Sequence, residues 1–476
     1  MQNRVIFKIL ATGINFLLSL VLGIFVPNAI GPEAYGEFSY ITSTFAFLLQ
    51  FLMFTSSTAY IYFLSNGKYK QEEINTFYFS FLALISTLIT IFSLFSFNHS
   101  FFIKYLWGDI QEPLLLLLGL ILALLTNVQQ RMVEFSDSSS QTIMSEKLKL
   151  FTKLLTVLSI LGFIFFQQLN LYFYFFLSII NVVLFTLLFI NYINFSFTSL
   201  SKAQFRAIFN DFYVYLKPLI IFTLVASVYS YLGKYVLQLT SGSIEQGYYN
   251  FALQLALIPV TFIASIMALY MSEMTKRFQQ KNLNAIKDIF LNNIFKLYAI
   301  HATIAFFTII NANEIILLSV GESYIGATHA LEALSIFSLL HTFGMLSGNL
   351  FLSTQRNKHY SQINSMIMLL GILFLTWKLF FTNGVNATQL AYIMTIFYAL
   401  RVSIQLYVNL NYLHISKLKF LAELVLLSLV LLFILKVVFY LHFHLIINLM
   451  LSLFFIFVVN FLFKDYMQIR KLLRKL

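Results

Sequence analysis

The chain contains no cysteine, only five prolines among its 476 residues, and few charged side chains. Without cysteine it can form no disulfide, no thiolate metal site and no cysteine nucleophile. Charged residues make up 10% of the sequence, hydrophobic residues make up 60%, and the mean hydropathy is +0.84. This composition excludes an ordinary soluble domain.

Recognisable catalytic motifs are also missing. The sequence has no GxSxG, HExxH, Walker or DxD pattern, and none of its polar segments is long enough to form an aqueous catalytic domain. We therefore predict that the chain is not an enzyme, is not an ATP-driven pump, and needs no metal or cofactor.

Long apolar stretches recur from end to end, each close to the roughly 20 residues that cross the hydrocarbon core of a bilayer. They predict an all-α integral membrane protein with about fourteen transmembrane helices, and we interpret the first as a retained span. The predicted spans are 7–29, 38–63, 75–97, 112–130, 148–168, 171–194, 213–238, 248–272, 290–311, 328–352, 360–380, 388–409, 420–440 and 444–463.

The net charge of +12 would suggest nucleic acid as a partner of a soluble protein. Here an uneven distribution across the bilayer explains it, and no nucleic-acid partner is expected. With a cytoplasmic N-terminus, only four of the 30 basic residues lie in the outer half of the membrane: Lys104, Lys234, Lys378 and Lys436. The positive-inside rule then predicts that both termini lie in the cytoplasm.

The stretch IGPEAYGEFSY separates the first two predicted spans. Gly31 and Pro32 predict the end of the first helix, and Glu33 suits the N-terminus of the second because its charge complements the helix dipole. A related pattern follows about 211 residues later, where residues echo Gly31, Glu33, Gly36 and Phe38 in this order: Gly242, Glu245, Gly247 and Tyr248. The recurrence indicates two parallel six-span halves, although short glycine-containing turns are common in membrane bundles.

Ionisable groups within apolar spans are candidates for function because they are costly to bury. Lys234 lies 17 residues beyond Lys217, about 25 Å along a helix. Its ammonium either reaches the outer headgroups or lines a substrate cavity.

Three other groups could carry a coupling proton. His301 and His341 fall near the middle of spans nine and ten, and Glu332 lies one turn inside span ten. A hydrogen bond between helices is the alternative role for a membrane histidine.

Further candidates lie closer to the helix ends. Lys296 and Lys378 either extend to the headgroups or face a vestibule that receives substrate. Arg131 closes span four with Glu134 three residues later, which predicts an ion pair, with a lipid-phosphate contact as the alternative. Pro27 and Pro259 are hinge candidates because proline removes a backbone hydrogen bond.

Four segments carry a resemblance to a known family: PNAIGPEAYGEFSY, YLGKYVLQLTSGSIEQGYYNFA, LLSVGESYIGATHALEALS and NGVNATQLAY. In their order along the whole chain they resemble the polysaccharide flippases. These are the O-antigen and capsule repeat-unit transporters of the multidrug/oligosaccharidyl-lipid/polysaccharide exporter superfamily.

The resemblance implies two six-helix lobes that meet in a V, residues 1–195 and 205–411, with two extra helices and a basic cytoplasmic tail in 417–476. It implies a central basic cavity that turns an undecaprenyl-pyrophosphate-linked oligosaccharide from the inner to the outer leaflet by alternating access. The implied location is the bacterial cytoplasmic (inner) membrane, and the implied partners are this lipid-linked glycan, the bilayer, and glycan polymerase or assembly proteins. Lys234, Lys296, Lys378 and Arg131 are then the candidate substrate-binding residues.

One departure concerns span seven, where many relatives carry an Asp-Lys pair and this chain has Gly233 and Lys234. Coupling to an ion through that position is therefore in doubt. Two transporters of the same superfamily remain as alternatives, a lipid II-type flippase and a drug or organic-cation antiporter. A polytopic glycan polymerase or ligase is less well supported, since it would need a larger outer loop with acid and base groups.

Overall fold

The computed structural model describes residues 2–54, 56–66, 68–139, 141–217, 220–382 and 384–440. All regular secondary structure within these ranges is helical. The α-helices are α1 Gln2–Met53, α2 Ser56–Asn66, α3 Gln71–Asn98, α4 Ser100–Phe102, α5 Pro113–Ser138, α6 Thr142–Phe165, α7 Leu171–Tyr192, α8 Lys202–Leu216, α9 Ile220–Ala256, α10 Ile258–Gln279, α11 Leu283–Ile310, α12 Ala312–Val320, α13 Thr328–Ser353, α14 Asn357–Phe381, α15 Ala387–Tyr412 and α16 Lys417–Tyr440. A π-turn, Ile103–Trp107, and a 3₁₀ segment, Glu322–Ala327, complete the set.

Ten helical segments of the described residues are long and apolar enough to cross a membrane. The chain is therefore a multi-pass membrane protein, and the prediction of an all-α membrane fold is confirmed. Thirteen of the fourteen predicted spans fall on helices of the described residues, several of them sharing a continuous helix. Two of the thirteen, 248–272 and 420–440, lie mainly on α10 and α16, which are not among the ten. The last, 444–463, lies outside the described residues.

Two of the long helices, α1 and α9, are each interrupted at a single glycine. Gly31 has φ 81° and ψ 170° within α1, and Gly242 has φ 77° and ψ −173° within α9. Both values lie where only glycine is comfortable. The polar turn predicted before span two is thus longer than the observed one, because the chain becomes helical again at Pro32. The fixed φ of proline suits a first helical position.

The segments after these two breaks pack against each other through glycines. A Cβ on Gly36 would lie 1.8 Å from the carbonyl oxygen of Ser243, and a Cβ on Gly247 would lie 2.0 Å from that of Pro32. Gly36 and Gly247 lie the same number of residues after their helix breaks. They therefore occupy equivalent positions in the two segments. We call this arrangement the glycine contact.

The segment before α5 also reaches α9. Asp109 Oδ2 accepts a hydrogen bond from the backbone N–H of Ser243 at 2.9 Å, and Oδ1 accepts one from the Ser243 hydroxyl at 3.0 Å. Gln238 donates to the same carboxylate. Asp109 therefore caps the helical segment that starts after Gly242, although the two residues are far apart in sequence.

The chain divides into two compact units. The first contains Met1–Phe251 with Ser319–Tyr324 and Met368–Ala387, and its core is rich in aromatic side chains, with Tyr40 and Trp107 fully buried. The second contains Ala252–Leu318, Ile325–Ile367 and the described residues from Thr388 onward, with a core between α10, α11, α13, α15 and α16. The lobe boundaries at 195, 205, 411 and 417 stay predictions.

Candidate functional site

A cavity of about 700 Å³ lies within the first unit, between α1, α2, α3 and α5. Its volume falls in the range of small-molecule binding sites. Apolar side chains form part of the wall, and the polar side chains that line it are Thr42, Ser43, Gln50, Ser56, Ser57, Tyr78, Thr126, Asn127, Gln130 and Arg131. A wall with so many hydroxyl and amide groups inside apolar helices can hydrogen-bond a hydrophilic ligand.

Arg131 on α5 supplies a positive charge to this cavity. Its side chain is 7% exposed, and Nη1 donates to Glu134 Oε2 at 2.6 Å, so the predicted ion pair is present. The spacing of three residues places both groups on one side of the helix. Arg131 Nε has no hydrogen-bond partner in the described part of the chain, nor does Asn127 Oδ1 one turn earlier.

An unpaired buried donor is costly unless a ligand or water satisfies it. The ion pair uses one of the five N–H donors of the guanidinium. Arg131 can therefore offer further hydrogen bonds to an anionic group in the cavity while it remains paired with Glu134.

Lys234 of α9 contacts a residue that lines the same cavity. Its Nζ donates to Ser43 Oγ at 2.8 Å, and Ser43 is one of the lining residues. Within the described ranges no carboxylate forms an ion pair with Lys234. Of the predicted substrate-binding residues, Arg131 thus lines the cavity, and Lys234 contacts one of its lining residues with a charge that no carboxylate compensates in the described part of the chain.

A set of tyrosine hydrogen bonds holds α9 against α1 near Lys234. The Tyr231 hydroxyl lies 3.0 Å from Thr44 Oγ1 and 3.2 Å from the Tyr40 hydroxyl, and Tyr40 donates to the Leu106 carbonyl at 2.6 Å. Tyr231 precedes Lys234 by nearly one helical turn. These hydrogen bonds fix the register of α9 on α1 and so determine where the Lys234 ammonium contacts Ser43.

His301 of α11 lies in the second unit and is fully buried. Its Nδ1 lies 2.7 Å from Thr342 Oγ1 and its Nε2 lies 3.1 Å from Ser338 Oγ, both on α13. Both ring nitrogens therefore bond across one helix interface. This geometry matches the alternative role as a hydrogen-bonded link between helices.

His341 occupies a different setting on α13. Its ring stacks on Tyr398 of α15 with centroids 4.3 Å apart, and the Arg401 guanidinium lies 4.1 Å from the Tyr398 ring. Among the described residues neither His341 Nε2 nor Arg401 Nε has a hydrogen-bond partner. Its candidacy as a coupling group stays a prediction.

The remaining predicted site residues are not among those that line the cavity. Lys296 is exposed on α11, Lys378 lies 5.8 Å from the Trp377 ring near the end of α14, and Glu332 pairs with His329 at 3.0 Å. Pro27 lies inside α1 four residues before its break, and Pro259 lies in the first turn of α10. Their predicted roles in binding, coupling and hinge motion stay predictions.

Sequence reasoning did not identify the uncharged polar lining of the cavity. Ser43 and Gln50 are seven residues apart and share one face of α1, and Asn127 precedes Arg131 by four residues on α5. Polar residues repeated at these intervals within apolar helices were the available signal. They were missed because single hydroxyl and amide side chains are ordinary in membrane helices.

No protein-family model and no curated protein matches this chain. Solved structures do match. A lipid II flippase, MurJ, in an inward closed conformation superposes with a TM-score of 0.73 and 13% identity, covering 98% of this chain and 100% of that one.

Two further structures cover most of the chain. An inward-facing multidrug resistance MATE family transporter of the MOP superfamily gives a TM-score of 0.64, 16% identity, and coverage of 84% of this chain and 95% of that one. A MOP superfamily transporter from Pyrococcus furiosus, described as having a binding pocket of reverse polarity, gives a TM-score of 0.54 and 14% identity. That match covers 87% of this chain and 95% of the other. At these identities the similarity shows a shared fold.

Proposed function

We propose that this chain is a flippase for lipid-linked oligosaccharides. It moves undecaprenyl-pyrophosphate-linked glycan repeat units, of the O-antigen or capsule type, from the inner to the outer leaflet of a bacterial cytoplasmic membrane by alternating access. Both termini lie in the cytoplasm in this proposal, and a glycan polymerase or assembly protein receives the product. The fold shared with a lipid II flippase supports the general class.

The polar cavity of the first unit is the observation that carries the proposal. Arg131 with its unpartnered Nε and Lys234 with its uncompensated charge provide cations for a pyrophosphate. The hydroxyl and amide lining can replace water around sugar hydroxyl groups, which cannot cross hydrocarbon unaided. The polyprenyl tail needs no polar site because it remains in the lipid.

A lipid II flippase is the second candidate, because MurJ superposes over nearly the whole chain. Several arginines in spans one, two and eight are expected of such a protein, and this sequence has none in the interiors of those spans. A drug or organic-cation antiporter is less well supported. A cationic drug requires a carboxylate, and no acidic residue is among the described residues that line the cavity.

Transport in proteoliposomes tests the proposal. The purified protein is reconstituted with an undecaprenyl-pyrophosphate oligosaccharide that carries a fluorophore on the sugar, and a membrane-impermeant quencher reports which leaflet holds the label. We expect rapid flipping of this lipid and slow flipping of labelled lipid II. Protein that flips neither lipid would refute the proposal, and a preference for lipid II would establish the second candidate.

Arg131→Gln tests the role of the cavity, and Arg277→Gln is its control because Arg277 forms an exposed ion pair with Glu273. Loss of charge-assisted hydrogen bonds worth about 1.5–3 kcal/mol predicts a decrease of about 10- to 100-fold in flipping rate for Arg131→Gln. The control should flip at the rate of the unaltered protein. Equal rates for both variants would remove Arg131 from the substrate site.

A further inference from the structure

Helix α8, Lys202–Leu216, is not among the membrane-spanning helices but lies in the chain between two of them, α7 and α9. One side of it packs onto the first unit, where Ile208, Phe212 and Leu216 are buried. The Phe212 ring lies 4.9 Å from the rings of both Phe63 and Phe77. The helix is therefore fixed on the body of the unit.

Polar contacts fix its rotation. Asp211 accepts hydrogen bonds from Lys68 and, at 2.5 Å, from the Tyr69 hydroxyl, both in the connection between α2 and α3. Gln204 donates to Glu73 Oε1 at 3.2 Å. Together with the buried residues, these contacts occupy an arc of about 140° of the helix, so the remaining side has a defined direction away from the unit.

The remaining side carries, next to the buried face, a row of basic and aromatic residues. Its members are all exposed and are spaced four, three, four and four residues apart: Lys202, Arg206, Phe209, Tyr213 and Lys217. At 3.6 residues per turn they fall within about 80° of one another. We call this row the basic-aromatic stripe.

Two features of the stripe point to its ligand. Phe209 and Tyr213 are 50% and 51% exposed, an unfavourable arrangement for large rings in water. Lys202, Arg206 and Lys217 form no ion pair in the described part of the chain, and the acid of α8, Asp211, lies on the other side of the helix. The stripe thus combines uncompensated positive charge with exposed aromatic surface.

We propose that the basic-aromatic stripe binds anionic phospholipid headgroups of the adjacent leaflet. The two rings enter the headgroup region, where aromatic side chains are favoured, and the three cations contact lipid phosphates. The flanking spans hold α8 at the membrane surface, on the side that the sequence predicts to carry most of the basic residues. This inference is independent of the substrate that the protein transports.

Native mass spectrometry of the whole protein tests the stripe. Protein released from nanodiscs of phosphatidylcholine with phosphatidylglycerol is compared with a triple variant, Lys202→Ala, Arg206→Ala and Lys217→Ala. The matched control replaces Lys147, Lys276 and Lys358, which are exposed and lie outside the stripe. Each cation near a charged surface contributes about fivefold in lipid affinity, so we expect the stripe variant to bind phosphatidylglycerol at least about tenfold more weakly.

The control should keep its phosphatidylglycerol, and both proteins should bind phosphatidylcholine equally. An equal loss in stripe and control variants would overturn the proposal, because it would show only the effect of net charge. Salt of about 1 M should abolish the preference, since screening shortens the range of exposed charges.

A second measurement separates lipid from a soluble partner. Since the chain has no cysteine, Phe209→Cys places a single thiol in the stripe. Phosphatidylglycerol in the nanodisc should slow its reaction with a water-soluble maleimide by severalfold. A rate that is unchanged by lipid composition would show a surface open to water, which suits an acidic protein rather than a membrane, and would refute the proposal.

Discussion

Replacement of Gly36 by alanine tests the glycine contact most directly. The added Cβ would lie 1.8 Å from the carbonyl oxygen of Ser243 and 2.8 Å from the backbone nitrogen of Gly247. Ordinary contact distances require the two backbones to separate by about 1.5 Å. Backbone atoms cannot turn away as a flexible side chain can, so we expect the upper part of the usual cost of overpacking, about 3 kcal/mol.

Gly162→Ala in α6 is the matched control. Nothing lies within 4 Å of the position that its Cβ would occupy. Alanine there should stabilise the helix by about 0.5–1 kcal/mol, since glycine loses more conformational freedom on folding. The two substitutions are chemically identical and should differ by about 3–4 kcal/mol in the free energy of unfolding.

Unfolding in a denaturing detergent, followed by circular dichroism, measures this difference. The double variant Gly36→Ala, Gly247→Ala adds a sharper test, because the second methyl group enters a contact that the first has already opened. Its destabilisation should be smaller than the sum of the two single effects. Gly36→Ala that is as stable as Gly162→Ala, or a fully additive double variant, would refute the close approach.

The remaining predictions concern the charges of the first unit. Lys234→Ala should slow flipping by about 10-fold or more, because it removes a charge-assisted contact. Lys104→Ala, at an exposed position, should not slow it, and equal rates of the two variants in the proteoliposome assay would contradict this prediction. Outward movement of a headgroup with about two negative charges is favoured by about 4–5 kcal/mol at about 100 mV, so an imposed inside-negative potential should speed flipping. A flipping rate that does not change with the potential would count against an anionic substrate. Hydrogen bonds from Lys68 and Tyr69 lower the pKa of Asp211 below its usual 3.8. The resulting stabilisation of α8 is present above pH 3.8 and is lost as the pH falls through the lowered value, so limited proteolysis at α8 should increase there in the unaltered protein and not in Asp211→Asn.

The helices themselves could be predicted from hydropathy because a span needs a fixed length of apolar residues. Predicted boundaries at 75–97 and 171–194 lie within a few residues of α3 and α7. The prediction was less accurate where polar residues remain helical. The stretch after Gly31 contains two glutamates and a further glycine, and local composition favours a turn there, yet packing against Ser243 and Gly247 keeps it helical.

The candidate site could be predicted in part. Arg131 and Lys234 were identified because ionisable groups in apolar helices are rare. The contact of Lys234 with Ser43, in the wall of the cavity that Arg131 lines, depends on how separate helices pack, which the periodicity of a single helix does not contain. The Asp109 cap on Ser243 was beyond prediction for the same reason, since it joins residues 134 apart along the chain.

The glycine contact also bears on how the chain arose. Residues 32 and 36 meet residues 243 and 247, and the offset is 211 in each case, so the pairing is reciprocal in the manner of an interface at a two-fold axis. Two identical copies of a shorter ancestor, joined as a homodimer, would make this same pair of contacts from a single sequence. After gene duplication and fusion, the single chain would then have retained the interface of the dimer. From that point each of the two glycines would have constrained substitution at the other.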